Sequence, residues 1–450
     1  MSAPAAAPAL ELPPPPLRRF TIDPWLTTVP ERLIAFQILC QLALLVGALG
    51  PLRLFIRAAT FGSSTLLLAY LLLTRRPKTM HPSAKAGLVV VLVLLLGLAH
   101  PETNTLTAAL AQITMYVSIL APLFWVACCR CSADVLRRVL LILLAFHTLS
   151  SLFGVLQAYF PGSFRGALAF DAGGQYTIKL ASGQRVYRLM GLTDAPGGAA
   201  TSGFYAVLIG TAFLVSERAR WPRVLAFLGI VLGMFCLYLA QSRSRFVMTG
   251  ICATSLLALM AYRGQLRRLA VALVLGVTAV LGAFGWAQAI GGEAATERLS
   301  TLVTSDPGQL YYKNRGTFLE RTLKEQLPEN PLGAGLGRWG MMFAYFGSAS
   351  ASRPIFAEIQ LTGWVLDGGL PLVLAYGAAL LAAFWVAWRL ATRTSTDQPL
   401  WLFAGLVFAY DLGALAMSFS YPIFMSQQGM ELWLLNAVLF DAYLDTRRAA

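Results

Sequence analysis

Three short stretches hold the residue types that could do chemistry. Gln241-Ser242-Arg243-Ser244-Arg245 places two arginines in a tight turn between two long apolar runs. Tyr311-Tyr312-Lys313-Asn314-Arg315 brings aromatic and basic side chains into a polar segment, and Glu358 stands where that segment returns to apolar sequence. A guanidinium stays charged at any working pH and grips phosphate through two parallel N–H bonds, so Arg243, Arg245 and Arg315 suit an anionic, phosphorylated substrate. Snorkelling of the turn's arginines to lipid headgroups would account for that pair as well. A carboxylate within reach of a sugar hydroxyl can take its proton. That is the chemical role open to Glu358; structural pairing with an arginine is the other.

The remaining constellations are weaker. There is no Asp-x-Asp pair of the kind that holds a divalent ion, so neither a catalytic metal nor a cofactor is expected. His81, His100 and His147 are scattered outside the polar segment, which argues against a histidine triad there. Asn330-Pro331-Leu332-Gly333-Ala334-Gly335-Leu336-Gly337 resembles a phosphate-cradling loop, but no strand precedes it. Gly333, Gly335 and Gly337 therefore read as turn glycines, which can still offer N–H groups to a ligand. Arg188 and Arg338 are further candidates for substrate contact. Tyr312 and Trp339, with Tyr311, Phe343, Tyr345 and Phe346, offer faces for sugar stacking or anchors for the membrane interface. Asp367, before Gly368-Gly369-Leu370-Pro371, reads as a helix cap. Asp411, inside an apolar run, is costly unless paired.

These residues need a scaffold, and composition says which kind. The 450-residue chain is 57% hydrophobic and 12% charged, against about 25% charged in soluble domains, with a mean hydropathy of +0.65. It reads as an all-α, polytopic membrane protein. About twelve apolar runs are long enough to consider as spans: 33–49, 52–73, 87–98, 108–128, 135–160, 200–215, 224–239, 246–261, 269–289, 364–388, 400–419 and 431–443. The runs 87–98 and 431–443 are short. The net charge of +14 is concentrated in short loops, where it fits topology and anionic lipid rather than nucleic acid. The six cysteines lie in or beside apolar runs and give neither a disulfide framework nor zinc spacing.

The basic loops set the orientation. Counting from a cytoplasmic N-terminus, every connection expected inside carries Arg or Lys, and both termini fall inside. Residues 1–30 read as a cytoplasmic tail, without the pattern of a cleaved signal peptide, and 31–290 as a membrane bundle with an outer loop at 161–199. The segment 291–363 reads as a large outer loop between spans 9 and 10, and 364–450 as the last spans. In the first outer loop, residues 178–188 alternate like a hairpin about Ser182-Gly183. In the second, residues 315–327 read as an amphipathic helix with Leu319, Leu323 and Leu327 on one face, stopped by Pro328. The arginines of the 241–245 turn then fall on the outer side, where that rule disfavours them.

In this order and spacing the motifs resemble the O-antigen ligase and O-antigen polymerase superfamily, bacterial membrane enzymes that join lipid-linked glycans outside the inner membrane. Ser242-Arg243-Ser244 is similar to the family's Ser-Arg-Gly turn, Arg315 to its loop arginine, and Asn330-Pro331-Leu332-Gly333-Ala334-Gly335 to its Asn-Pro-Leu-x-Gly-x-Gly stretch. Ligases open the returning segment with His-Asn, then an acid nine positions on and a glycine two later. Here Glu358-Ile359 stand in that place, with Asp367 and Gly369 at the later offsets. The departure favours a polymerase over a ligase. The resemblance implies a GT-C-like fold with its active site facing the periplasm of the inner membrane. It also implies inverting, metal-independent transfer from an undecaprenyl-diphosphate-linked glycan to another lipid-linked repeat unit. Arg243 and Arg315 would hold the diphosphate with Arg245 and Arg188, and Glu358 would act as base. Anionic lipids and other polysaccharide-assembly membrane proteins would be its partners. Transfer to lipid A core or protein is the ligase alternative, and a flippase for lipid-linked oligosaccharide is the alternative of another class.

Overall fold

The computed structural model describes residues 27–164, 177–179, 185–304 and 306–449. The N-terminal tail up to residue 26, and 165–176 and 180–184 of the first outer loop, lie outside the described residues. Among the described residues, the regular elements are helices apart from one short hairpin. In order come α1 (Val29–Leu44), α2 (Arg53–Thr74), α3 (Ser83–Gly97), α4 (Leu106–Leu120) and α5 (Ala133–Tyr159). Then follow β1 (Thr177–Lys179), β2 (Arg185–Tyr187), α6 (Gly198–Ser216), α7 (Arg220–Leu239), α8 (Arg243–Tyr262) and α9 (Leu266–Thr304). The strands pair antiparallel with Ile178 opposite Val186; the turn expected at Ser182-Gly183 lies outside the described residues.

Among the described residues, eight helices are long and apolar enough to cross a membrane. They are α2 with its lead-in from Gly47, α5, α6, α7, α8, the first part of α9, and two later helices, Gln360–Arg393 and Leu400–Met417. A ninth is possible if α4 and the helix Pro122–Cys128, bent by 42° at the intervening residue, count together. The three other apolar runs are helical but fall short of that test. α1 has 16 residues and α3 has 15. The last helix, Gln427–Ala449, carries Glu431, Asp441 and Asp445.

Glycines let these helices touch backbone to backbone. A Cβ on Gly203 of α6 would lie 2.7 Å from the Gly233 carbonyl of α7, and one on Gly233 2.7 Å from the Gly203 carbonyl. Small residues at such a crossing replace side-chain bulk with close van der Waals contact, the main attraction available between helices in lipid.

The polar segment after α9 folds as an insert packed on the bundle. α9 does not stop at 289; it runs on to Thr304, 39 residues in all, or about 58 Å at 1.5 Å per residue. The Ala, Glu and Leu residues after Gly291-Gly292 are good helix formers, so a ladder begun in the apolar run propagates through the glycine pair. Asp306 starts the returning helix α10 (307–329) by accepting from Gly308 N at 2.9 Å, with Pro307 at the first helical position. Then come α11 (Gly340–Phe346), α12 (Gln360–Arg393), α13 (Leu400–Met417) and α14 (Gln427–Ala449).

Two π turns, Tyr312–Gly316 and Thr322–Gln326, interrupt α10, and each takes an extra residue into the turn. They rotate the face expected from the sequence. Leu323 is 50% exposed, while Thr322 is buried and shares a hydrogen bond with Thr362 of α12 at 2.6 Å. The helix continues past Pro328 to Glu329, and Asn330 ends it.

Candidate functional site

The glycine stretch works as a plug. α12 is broken at Gly368 and Gly369, the latter at φ +61°. A broken helix frees backbone groups that lipid cannot satisfy. The stretch after Asn330 satisfies them: Leu370 N donates to Pro331 O at 2.9 Å, and Ala334 N donates to Leu366 O at 2.7 Å. Gly335 and Gly337 have φ of +94° and +71°. A Cβ on Gly335 would lie 2.5 Å from the Glu102 carbonyl, and one on Gly337 2.7 Å from Ala108 of α4. These glycines therefore face the bundle and do not form an anion cradle open to a ligand.

Three neighbouring expectations are corrected with them. Trp339 is 6% exposed, its indole lies on Gly363, and its Nε1 donates to Asp367 Oδ1 at 2.8 Å, so it offers no open stacking face. Asp367 is turned towards α4 instead of capping a helix; Gln112 and Tyr116 donate to its other oxygen at 3.0 and 2.7 Å. Arg338 closes the turn by donating to Ala334 O at 2.6 Å and to Arg353 O at 3.2 Å, and it meets Glu102 at 3.4 Å. Its guanidinium is held by these contacts within the fold.

The chemistry-bearing residues gather elsewhere. Arg315, at the first π turn, pairs with Glu358 at 2.6 Å; the side chains are 35% and 28% exposed, open to a ligand from outside. Arg315 Nε also donates to Ser420 O at 3.0 Å. Gln360 N donates to Ser418 O at 2.9 Å, and Phe424 N donates to Gln360 Oε1 at 2.8 Å. The start of α12 is thus sewn to the connection between α13 and α14.

Arg245 reaches the same connection from α8. It is buried, donates to Gln428 Oε1 at 2.8 Å and stands 5.4 Å from the Tyr421 ring centroid. Arg243, half-buried, begins α8 two residues earlier, after Gln241 turns the chain at φ +51°. That left-handed conformation is costly for a residue with a side chain. It lets α7 and α8 meet in a three-residue turn that leaves both arginines at the helix start.

Beneath Arg245 lies a row of polar groups that sequence reasoning missed. Tyr410 hydroxyl contacts the Gln428 carbonyl at 2.9 Å and the Tyr205 hydroxyl at 2.5 Å; Tyr205 contacts Glu431 Oε2 at 2.5 Å. Glu431, a carboxyl in an apolar run, was a readable signal for it. Ser420 contributes only its carbonyl, for which a sequence carries none. Asp411 accepts from Asn436 at 2.7 Å, a structural pairing.

Two expected residues stay apart from the Arg315–Glu358 pair. Tyr312 is exposed and hydrogen-bonds Glu320 on its own helix, where the neighbouring Lys324 and this bond hold the Glu320 carboxyl below its ordinary range. Arg188 follows β2 and leads into buried Leu189; its Nε has no hydrogen-bond partner among the described residues. No family model matches this chain, and no curated protein gives a significant match.

Proposed function

We propose that this chain is an inverting, metal-independent glycosyltransferase. In this reading it transfers glycan from an undecaprenyl-diphosphate-linked donor to a hydroxyl of another lipid-linked repeat unit, in the periplasmic leaflet of a bacterial inner membrane. The full topology of twelve spans with both termini cytoplasmic belongs to the same reading. The observation that carries it is the Arg315–Glu358 pair at 2.6 Å, beside a connection that Arg245 also reaches.

The pair suggests how the reaction would begin. With no ligand, Arg315 holds Glu358. An arriving diphosphate competes for the guanidinium with a higher charge and a bidentate fit, which releases the carboxylate. The acceptor oxygen then bonds to the anomeric carbon as the bond to the diphosphate oxygen breaks. The proton passes to Glu358, and the leaving electron pair stays on the diphosphate, where Arg315, Arg243 and Arg245 stabilise it. A single displacement inverts the anomeric centre.

One observation favours a transporter, since broken helices such as α12 often line transport paths. Its freed groups, however, are bonded to the insert. The test is polymerisation in proteoliposomes with a lipid-diphosphate-linked oligosaccharide and EDTA, comparing wild type with Glu358→Gln. A product ladder that falls by about 10²–10⁴-fold in the variant is expected for loss of a general base. Movement of labelled lipid across the bilayer without product would replace the reading by transport.

A further inference from the structure

A cavity of about 350 Å³ lies between α6, α7, α8 and α9, all four of which pass as membrane spans. That is the lower end of the roughly 300–1,000 Å³ of small-molecule sites. Only Thr211 and Thr249 in its wall carry a side-chain oxygen or nitrogen, and both hydroxyls bond their own helices. Thr211 donates to Val207 O and Thr249 to Arg245 O, each at 2.7 Å. The wall offered to an occupant is therefore nearly all hydrocarbon.

α9 makes the cavity by standing off from the bundle. In its apolar span 11% of residues are buried, against 44% in α7 and 39% in α8. Glycines widen the gap. Gly250 of α8 and Gly276 of α9 both line it, and a Cβ built on either meets no atom of the described residues within 4 Å. Glycine weakens a helix interior. At Gly203 and Gly233 close contact between backbones offsets that loss, but Gly250 and Gly276 make no such contact among the described residues. What they supply is space.

The cavity also has a direction. Phe246, Gly250, Ala253 and Leu257 line it from one face of α8, a run of about 17 Å at 1.5 Å per residue. Arg243 heads the same face, one turn before Phe246. Arg245, beside it, is held by the Gln428 amide and the Tyr421 ring. Arg53 and Arg57, in the first turns of α2, instead meet the Asp194 carboxylate. An occupant with an anionic head at the start of α8 and a long apolar chain running inward matches both the charge and the wall. A polyprenyl chain fits better than a straight acyl chain, because its methyl branches need the width that the two glycines leave.

We propose that this cavity holds the polyprenyl chain of the lipid-diphosphate donor, with the diphosphate at the start of α8. The assignment rests on the glycosyltransferase reading, in which Arg243 and Arg245 hold that diphosphate.

The test is photo-crosslinking of the full-length protein in phosphatidylcholine proteoliposomes, with geranylgeranyl diphosphate carrying a diazirine at the chain end as probe. Peptide mapping locates the label. Labelling that excess unlabelled geranylgeranyl diphosphate removes is expected on the α8 and α9 residues that line the cavity. Gly250→Leu and Gly276→Leu fill the space and should each lower that labelling several-fold with thermal stability held. Gly282→Leu, on α9 outside the cavity, should leave it unchanged. Unchanged labelling in both filled variants would overturn the proposal. Competed label on other helices, lost in Arg315→Ala, would overturn the cavity and leave the donor reading standing. No competed label anywhere would overturn both. Equal removal by excess phosphatidylglycerol would make the cavity a seat for bulk lipid and overturn the assignment; persistence of the label supports it.

Discussion

The two ends of the bundle carry arginine for different reasons. Away from the insert, Arg130 meets Asp445 at 3.1 Å, and Arg137 and Arg138 meet Glu217 and Glu31 at 2.5 Å. Arg263 donates to the Thr392 and Thr394 carbonyls at the end of α12, where the helix dipole favours a cation. At the insert end, two arginine pairs stand in the first turns of α2 and α8, where the dipole opposes them. The partners seen there are Asp194 for one pair, and the Gln428 amide and Tyr421 ring for Arg245. The named arginines of one end meet carboxylates or helix-end carbonyls, whereas the buried Arg245 of the other is held by a neutral amide and a ring.

The comparison is most exposed to failure at Arg315. If its charge is kept for a ligand, Arg315→Ala should lower polymer formation by about 10²–10³-fold, the cost of removing one donor to a developing oxyanion. Thermal stability should barely change, because the Glu358 partner is 28% exposed and can be hydrated. Lower stability with an unchanged rate would make Arg315 a structural residue like those at the other end.

The next effect lies at that other end and has the opposite signature. Arg137 forms two parallel bonds to Glu217, whose side chain is only 10% exposed. Arg137→Ala leaves that carboxylate without its donors, so a stability loss on the order of 1–3 kcal/mol is expected. Turnover per folded molecule should be unchanged. Thermal melts in detergent paired with the proteoliposome assay measure both quantities.

How much of this could be read in advance depended on whether the signal was local. Apolar runs specify helices by themselves, and each expected run is helical; length and acidic residues separate α1, α3 and α14 from the eight that pass as spans, and the 42° bend after Leu120 sets the α4 run apart. The pairing of β1 with β2 was legible because both strands alternate. The glycine stretch was legible as a turn because positive φ favours glycine, but its partner was not. Pro331 and Ala334 find the break in α12 only once the insert has folded back, and Trp339 and Arg338 are held by the same closure. Residues that look like a ligand loop thus became packing. The unremarkable 418–428 connection became the meeting place of Arg245, Arg315 and the start of α12, through backbone carbonyls and neutral side chains that charge-based reading passes over.

The smallest effect is expected where the insert end fixes its buried arginine. Gln428, Tyr410, Tyr205 and Glu431 make three contacts in series, and the two hydroxyls supply two hydrogens. Tyr205 donates to Glu431, Tyr410 donates to the Gln428 carbonyl, and the two hydroxyls meet between them. Glu431→Gln keeps an oxygen that can accept from Tyr205 and should leave stability and rate close to wild type. Glu431→Ala leaves Tyr205 without its acceptor and should cost about 1–3 kcal/mol for a buried, unsatisfied group, read from thermal melts in detergent. If Gln proved as damaging as Ala, Glu431 would be acting as a negative charge. The insert end would then neutralise Arg245 across the row, much as the opposite end neutralises its own arginines.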